Sequence, residues 1–405
     1  MSERFRAWLR NLMPGPVRER YHRYALRRDF GIGAPASSAA RRSETPSLEA
    51  GLNLVGYFDS VSGVGQSARA LAAAAESAGV AIARIEAAVA GGDRRVSSPF
   101  DVNLYHVNAE AAASVVEMLG PRLHAGRRNA GYWYWESDRF PERWMDRFRY
   151  FDEIWVASEF CRRAVASVSP IPVHRIPPAV LAPDAPPERR EKPRDSFRFL
   201  SVLDAFSVPE RKNPIGTIRA FAQAFPKASG AALHVQAHNA RRVEGLLGEM
   251  HAAAAGADVR IEDRALPPGD LAALFSACDA YVSLHRCEGF GFPIAEAMAL
   301  GKPVVATDYS GSTDFLDDAT GFPVRWKPWT LAWPLRDYDV GTVWAEPDEA
   351  HAVESLRRVF ADSAERERRG EAGRRRIREL YAPPTAGARI AERLEALRAS
   401  GGNRK

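Results

Sequence analysis

Short apolar runs, each followed by a small or polar turn and then by apolar positions at helical spacing, recur along most of the chain. LNLVGYF at 52–58 reads as a buried strand. The turn text DSVSGVGQ follows, then an alanine-rich helix near 66–78 and a second strand, VAIARIEA, at 80–87, in the order of a βαβ unit. DVNLYHV (101–107), NAGYWYW (129–135) and EIWVAS (153–158) continue the pattern, with helical or loop text between them. Alternation of this kind predicts an α/β fold with parallel sheets.

Between Ile176 and Asp195 the pattern stops in IPPAVLAPDAPPERREKPRD, where crowded prolines exclude regular structure and mark a domain boundary. A second alternating unit then begins. It comprises FRFLSVL (197–203), a helix from Pro214 to Phe225, ALHVQAH (232–238), a helix near 241–254 and DVRIED (258–263). The helix text DLAALFSAC leads to the strand AYVSLH (280–285), and the stretch EGFGFPIAE (288–296) comes directly after it. A helix from Pro293 to about Leu300 stops at Gly301, and PVVAT (303–307) is the next strand. The expected organisation is an N-terminal segment and linker over 1–50, a Rossmann-like unit over 51–178 and a second over 195–375. A C-terminal helix, 376–405, is expected to cross back to the first unit. In open parallel sheets ligands bind outside the carboxyl ends of the strands, so the cleft between the two units is the expected site.

A composition of 46% hydrophobic and 26% charged residues over 405 positions supports globular domains rather than a disordered chain. No apolar run approaches the roughly 18 residues of a membrane-spanning helix, and the first residues lack the apolar stretch of a signal peptide, so a cytoplasmic location is expected. Cys161, Cys278 and Cys287 are odd in number and have no metal-ligand spacing, which suits structural thiols in a reducing compartment. The net charge of +5 is concentrated in residues 1–30, where eight arginines face Glu3, Glu19 and Asp29. The balanced remainder argues against nucleic acid as a partner. Phe5, Trp8, Leu9 and Leu12 form one helical stripe with Arg4, Arg6 and Arg10 beside it. Residues 2–13 therefore suit either an interfacial helix on an anionic membrane surface or a helix packed on the protein's own body.

Three stretches could carry chemistry. In EGFGFPIAE, Pro293 suits the first helical position but Phe292 cannot cap, which leaves the first-turn amides free for a ligand. Gly289 and Gly291 allow close backbone approach, and Glu288 and Glu296 add acceptors suited to hydroxyls. Glu296 in the first turn equally suits a residue that complements the helix dipole. In ERKNP (210–214), Asn213 is a good N-cap before Pro214, and Arg211 and Lys212 set positive charge beside the helix start, as a diphosphate requires. In SGVGQSA (62–68), Gly63, Gly65 and Ala68 match a dinucleotide fingerprint with Glu86 on the following strand, which supports a rival reading as an NAD-dependent oxidoreductase. Against that rival, four residues separate the strand from the first glycine and spoil the tight turn.

EGFGFPIAEAMALGKPVVAT, with ERKNP, the SGVG loop and the closing GRRRIRELY, resembles glycosyltransferase family 4, retaining enzymes of the GT-B fold. The resemblance spans about residues 52–395. It implies two Rossmann-like domains across a cleft, a nucleotide-sugar donor and no metal. Glu288 with Phe290, Gly291, Phe292 and Pro293 would hold the donor sugar, Glu296 the ribose, and Arg211 and Lys212 the diphosphate. Gly63 and Gly65 would approach phosphate and acceptor. Asp337 and Asp339 form a D-x-D pattern that follows no strand and is read as chance.

This chain departs from the resemblance at two places. Asp204 stands where many members carry an arginine, which shifts phosphate charge onto Lys212. Many also carry a histidine at the end of an N-terminal-domain strand, where NAGYWYWE offers Glu136; His106 and Asn108 are the other candidates for that place. Trp133 and Trp135 could stack on an acceptor sugar, or belong to the core. The expected activity is transfer of a hexosyl group to a glycan or lipid-linked acceptor with retention of configuration, in bacterial surface polysaccharide synthesis. The alternatives are the oxidoreductase and a non-catalytic sugar-nucleotide binder.

Overall fold

The computed structural model describes residues 48–87, 98–181 and 196–400. The basic N-terminal segment, most of the expected linker 1–50, residues 182–195 and the last five residues lie outside this range.

The first unit is a six-stranded parallel sheet: β1 (Glu49–Gly56), β2 (Ile82–Glu86), β3 (Phe100–His106), β4 (Arg128–Trp133), β5 (Glu153–Val156) and β6 (Val173–Arg175), in the order β2-β1-β3-β4-β5-β6. Leu52, Leu54 and Val55 of β1, Val102, Leu104 and Tyr105 of β3, and Ala130, Tyr132 and Trp133 of β4 are wholly buried, as expected of strands covered by helices on both faces. A ladder of buried amides pins their register. Asn53 donates to Asn103 at 2.9 Å and Asn103 to Asn129 at 2.8 Å, and Asn129 ends on the His124 carbonyl, so three polar side chains are satisfied inside the core.

The second unit repeats the plan with β7 (Phe197–Asp204), β8 (Ala231–His238), β9 (Val259–Asp263), β10 (Ala280–Ser283), β11 (Val304–Thr307) and β12 (Phe322–Val324), in the order β12-β11-β10-β7-β8-β9. Chain direction across the sheet reverses at β7, which lies between β10 and β8. The carboxyl ends of β7 and β10 therefore open onto the switch-point crevice where ligands bind in such sheets.

An antiparallel hairpin, β13 (Trp326–Thr330) and β14 (Val343–Pro347), leaves the second unit after β12. Sequence periodicity did not reveal it. Its Leu331, Tyr338 and Trp344 pack into the same apolar cluster as Trp133, Trp135, Phe140 and Trp144 of the first unit. The last helix, Pro383–Ala399, lies on helix Gly63–Ser77, where a Cβ on Gly387 would sit 2.1 Å from the Ala74 carbonyl oxygen, so only glycine permits the approach. Arg393 to Glu153 and Arg398 to Asp101 tie this helix to the first sheet. The preceding helix, Ser363–Tyr381, runs through residue 376, so the turn back occurs at Ala382–Pro383 rather than at the expected position. Among the described residues no helix is long and apolar enough to cross a membrane.

Candidate active site

The chain leaves β7 through a tight path: Val208 has φ 62°, Pro209–Lys212 form one helical turn, and Asn213 has φ 51°. Asn213 caps helix Pro214–Ala224 by accepting the Gly216 amide at 3.2 Å, and its amide nitrogen donates to the Leu284 carbonyl beyond β10 at 2.8 Å. One side chain thus starts a helix and ties the β7 loop to the β10 loop. This placement carries Arg211 and Lys212 to Glu288. Arg211 donates to the Cys287 carbonyl at 2.8 Å and to Glu288 Oε2 at 3.1 Å, and Lys212 Nζ bonds Glu288 Oε1. The Arg211 guanidinium also lies 3.8 Å from Glu136 Oε1, which comes from the end of β4.

Burial would disfavour all these charges, and the neighbours decide the outcome. For Glu288, burial pushes the carboxyl up, but Lys212 and Arg211 outweigh it and hold it at about 2. Burial would lower Arg211, yet Glu136 and Glu288 push it above its ordinary value, so the guanidinium stays charged. At Lys212, with Glu288 as its principal partner, burial wins and the ammonium is lowered. Two cations and two carboxylates are therefore mutually neutralised at the crevice.

Above them runs the glycine loop. Gly291 has φ 93° and occupies the N-cap of helix Phe292–Ala299 with no side-chain cap bond, so the helix starts one residue earlier than its sequence suggests and Pro293 takes the second position. Among the described residues the amides of Phe290, Gly291 and Phe292 have no protein acceptor, leaving free the donors that an anion or hydroxyl would use. The Phe290 ring packs on Phe315 and Tyr381, so only its backbone serves the cleft. Glu296 lies beyond the first turn, which removes the dipole-capping explanation for it. Its carboxylate accepts a hydrogen bond from Gln66 of the first unit, and burial pushes its pKa up to about 7. The cleft has an empty volume of about 1230 Å3, open to solvent. Its first-unit wall includes Val61, Gly63, Gln66, Tyr134 and Glu136, and it extends along β7 and β8 past Asp204, Gln236 and His238.

Several expected residues are not brought to this cleft. The SGVG stretch is not a free loop: helix Gly63–Ser77 begins at Gly63, capped by Ser62. Gly63 lines the cleft, but Gly65 faces inward, where a Cβ would meet the Ser60 and Tyr57 carbonyl oxygens at 2.5 and 2.6 Å. Its glycine is required by the preceding turn. His106 is fully buried, stacked on Tyr132 and bonded to Ser67 at 2.8 Å, with burial lowering its pKa to about 4. Asn108 accepts the Tyr134 amide at 3.0 Å and holds the end of β4. Trp135 stacks on Tyr338 inside the aromatic cluster, and Trp133 is wholly buried. Side chains alternate along a strand, so a segment that sends Tyr134 and Glu136 to the cleft turns Trp133 and Trp135 away. Asp204 accepts the Phe206 amide and the Asn239 side chain at the end of β7.

Sequence reasoning missed Gln66, Tyr134 and Tyr338. Parity along YWYWE marks Tyr134 once Glu136 is chosen, and Gln66 is the polar residue in the first turn of an alanine-rich helix. Tyr338 donates to Glu136 at 2.9 Å from a loop 202 residues away, and no local signal marks it. Its neighbour Asp339 pairs with Arg143 at 2.7 Å, so the D-x-D stretch belongs to a contact between the units. Glu86, the acid of the dinucleotide fingerprint, accepts the Phe58 and Asp59 amides at 2.8 and 3.2 Å and braces the turn before the helix.

Residues 263–376 match the sequence model of the family described as Glycosyl transferases group 1. No curated protein sequence matches the chain. Among solved structures, sucrose-phosphate synthase from Thermosynechococcus elongatus is similar with a TM-score of 0.64 and 16% identity, over 87% of this chain and 100% of that one. HepE of Anabaena, in complex with UDP and glucose, gives 0.60 at 12% identity over 86% and 100%. WaaG, a glycosyltransferase involved in lipopolysaccharide biosynthesis, gives 0.56 at 16% identity over 84% and 99%. At such identities the likeness is one of fold. The chain thus has the two-sheet GT-B architecture, and its stretch from 263 to 376, which contains EGFGFPIAE, carries the sequence pattern of glycosyl transferases group 1.

Proposed function

We propose that this chain is a retaining glycosyltransferase that needs no metal and moves a hexosyl group from a nucleotide-sugar donor to a glycan or lipid-linked acceptor in bacterial surface polysaccharide synthesis. One observation carries the reading: Arg211, Lys212 and Glu288 meet at the switch-point crevice directly below a glycine loop whose amides are unpartnered. A sugar diphosphate matches this arrangement part by part. Its phosphates would draw Arg211 and Lys212 away from Glu288, freeing that carboxylate to accept sugar hydroxyls, while the loop amides donate to sugar and phosphate oxygens. As the bond from the anomeric carbon to the diphosphate breaks, its electron pair leaves with the diphosphate. Cations already in place there stabilise the growing negative charge without reorganisation. Glu296 would take the ribose, releasing Gln66. Glu136 lies on the acceptor side, and residues 2–13 would hold the protein at the inner face of the membrane.

The test is turnover. Purified protein is incubated with UDP-, GDP-, dTDP- and ADP-sugars and a polysaccharide or lipid-linked acceptor, with release of nucleoside diphosphate and the anomeric configuration of the product followed by NMR. Release with an unchanged anomeric configuration supports the reading. Binding without release favours a non-catalytic sugar-nucleotide binder, and an inverted product overturns retention. The oxidoreductase alternative loses support because Glu86 is spent on backbone amides; NADH formation would revive it.

A further inference from the structure

Ser158 follows β5 at its carboxyl end and is fully buried. Its hydroxyl oxygen accepts the Cys161 amide at 3.2 Å and so caps helix Glu159–Ala166. A hydroxyl has one proton, and Ser158 donates it across the domain interface to the Gly289 carbonyl oxygen at 2.6 Å. The Cys161 thiol stands 3.2 Å from the same oxygen and 3.1 Å from the Trp135 carbonyl. The second unit in turn grips the start of this helix: Asp314 accepts the Glu159 amide at 2.9 Å and pairs with Arg175 at 3.0 Å.

The Gly289–Phe290 peptide is seated from every side. Gly311 passes behind it so closely that a Cβ there would lie 2.3 Å from the Gly289 oxygen, and Tyr134 lies 3.2 Å from the place of a Gly289 Cβ. Glu288 is held at both ends of its backbone, its amide donating to Ser310 Oγ at 2.8 Å and its carbonyl accepting from the Gly311 amide at 2.9 Å. In a trans peptide the carbonyl and the following N–H point in opposite directions. A carbonyl drawn toward Ser158 therefore turns the Phe290 N–H away from the first unit's helix. That amide has no protein partner, in a stretch that lines the cleft.

We propose that Ser158, with the Cys161 thiol beside it, is a positioning residue for the donor sugar: by holding the Gly289 carbonyl it aims the Phe290 amide into the cleft, so the loop is set for the sugar only while the two units are docked. The inference rests on the glycosyltransferase reading. It adds that Ser158 contributes to donor-sugar affinity from the first unit without itself touching the donor.

The experiment separates sugar from nucleotide. Calorimetric dissociation constants are measured for UDP, GDP, dTDP and ADP, and for the sugar nucleotides of each, on the full-length wild type, Ser158→Ala and Ser158→Thr. Loss of one buried hydrogen bond predicts that Ser158→Ala leaves nucleoside diphosphate affinity within about twofold, but cuts the extra affinity conferred by the sugar roughly three- to tenfold and lowers kcat in step. Ser158→Thr, which keeps the hydroxyl, restores both. If Ser158 only caps its helix, the melting temperature falls and the ratio of the two constants does not move, which overturns the inference. Should Ser158→Ala fail to fold, Cys161→Ala, which keeps the cap, is expected to shift the same ratio in the same direction by a smaller factor, and an unchanged ratio overturns the inference. Wild type that binds none of these ligands overturns the glycosyltransferase reading itself, whereas binding with an unmoved ratio overturns only the role of Ser158.

Discussion

Glu288→Gln is the perturbation with the best-defined energetics. The substitution preserves shape and removes the charge that neutralises Lys212 and Arg211. Arg211 is 4% exposed, so water cannot replace the lost partner. Folding depresses the Glu288 pKa from 4.5 to about 2, so its contribution to stability is complete above pH 4.5 and is lost as pH falls toward 2. At roughly 1.4 kcal/mol per pH unit the gap corresponds to about 3 kcal/mol, which agrees with the cost of about 3–5 kcal/mol for removing one partner of a buried pair. In a unit of about 200 residues this lowers the melting temperature by roughly 6–12 °C at pH 7.5. A second effect has the opposite sign. With the carboxylate gone, a diphosphate no longer competes with Glu288 for the two cations, so UDP or GDP should stabilise the variant more than the wild type even though transfer is lost. Differential scanning fluorimetry with and without saturating nucleotide measures both effects. An unchanged melting temperature would show that the cluster is not a buried ion pair of this kind, and a smaller nucleotide shift in the variant would show that the phosphate does not use these cations.

Four further outcomes are expected. The Glu296 carboxyl is raised to about 7, so its contribution is present below pH 4.5 and lost as pH rises through 7; Glu296→Gln should flatten the pH dependence of the melting temperature over that window, removing about 3 kcal/mol of it. Tyr338→Phe keeps the stack on Trp135 but removes the hydrogen bond to Glu136, and should lower kcat several-fold with donor KM unchanged; a raised donor KM would place Tyr338 on the donor instead. Gly63→Ala meets nothing within 4 Å and should fold normally with weakened donor binding, whereas Gly65→Ala drives a Cβ into two backbone carbonyls and should cost about 2 kcal/mol by chemical denaturation. Deleting residues 2–13 should abolish sedimentation with phosphatidylserine-containing vesicles, and undiminished binding would remove the membrane role proposed for that segment.

Repeated apolar runs and turns carried the two parallel sheets, because buried strands and their covering helices write their periods directly into the chain. EGFGFPIAE and ERKNP were legible for a related reason: each stands where a strand text ends and a helix text begins. Their meeting was not legible. Arg211 reaches Glu288 because β7 and β10 are neighbours, and strand order is a property of the whole sheet rather than of any window. The hairpin 326–347 escaped notice because Pro328 interrupts one strand and four of that strand's five residues, Trp326 among them, are exposed, so no apolar alternation marks it. The error at Trp135 was one of parity and could have been avoided, since Glu136 and Trp135 cannot both face the cleft from one strand. The error at His106 was one of depth. It ends β3 as expected, but Ser67 and Tyr134 lie between it and the crevice.

The central claim is that the Glu288–Arg211–Lys212 crevice receives a sugar diphosphate. Thermal stabilisation by UDP-, GDP-, dTDP- and ADP-sugars, set against NAD and NADP, tests it most directly. One sugar nucleotide should stabilise the protein by about 2.7 kcal/mol when present at 100 times its dissociation constant, and the response should weaken in an Arg211→Ala variant. Stabilisation by NAD with no response to any sugar nucleotide would contradict the account.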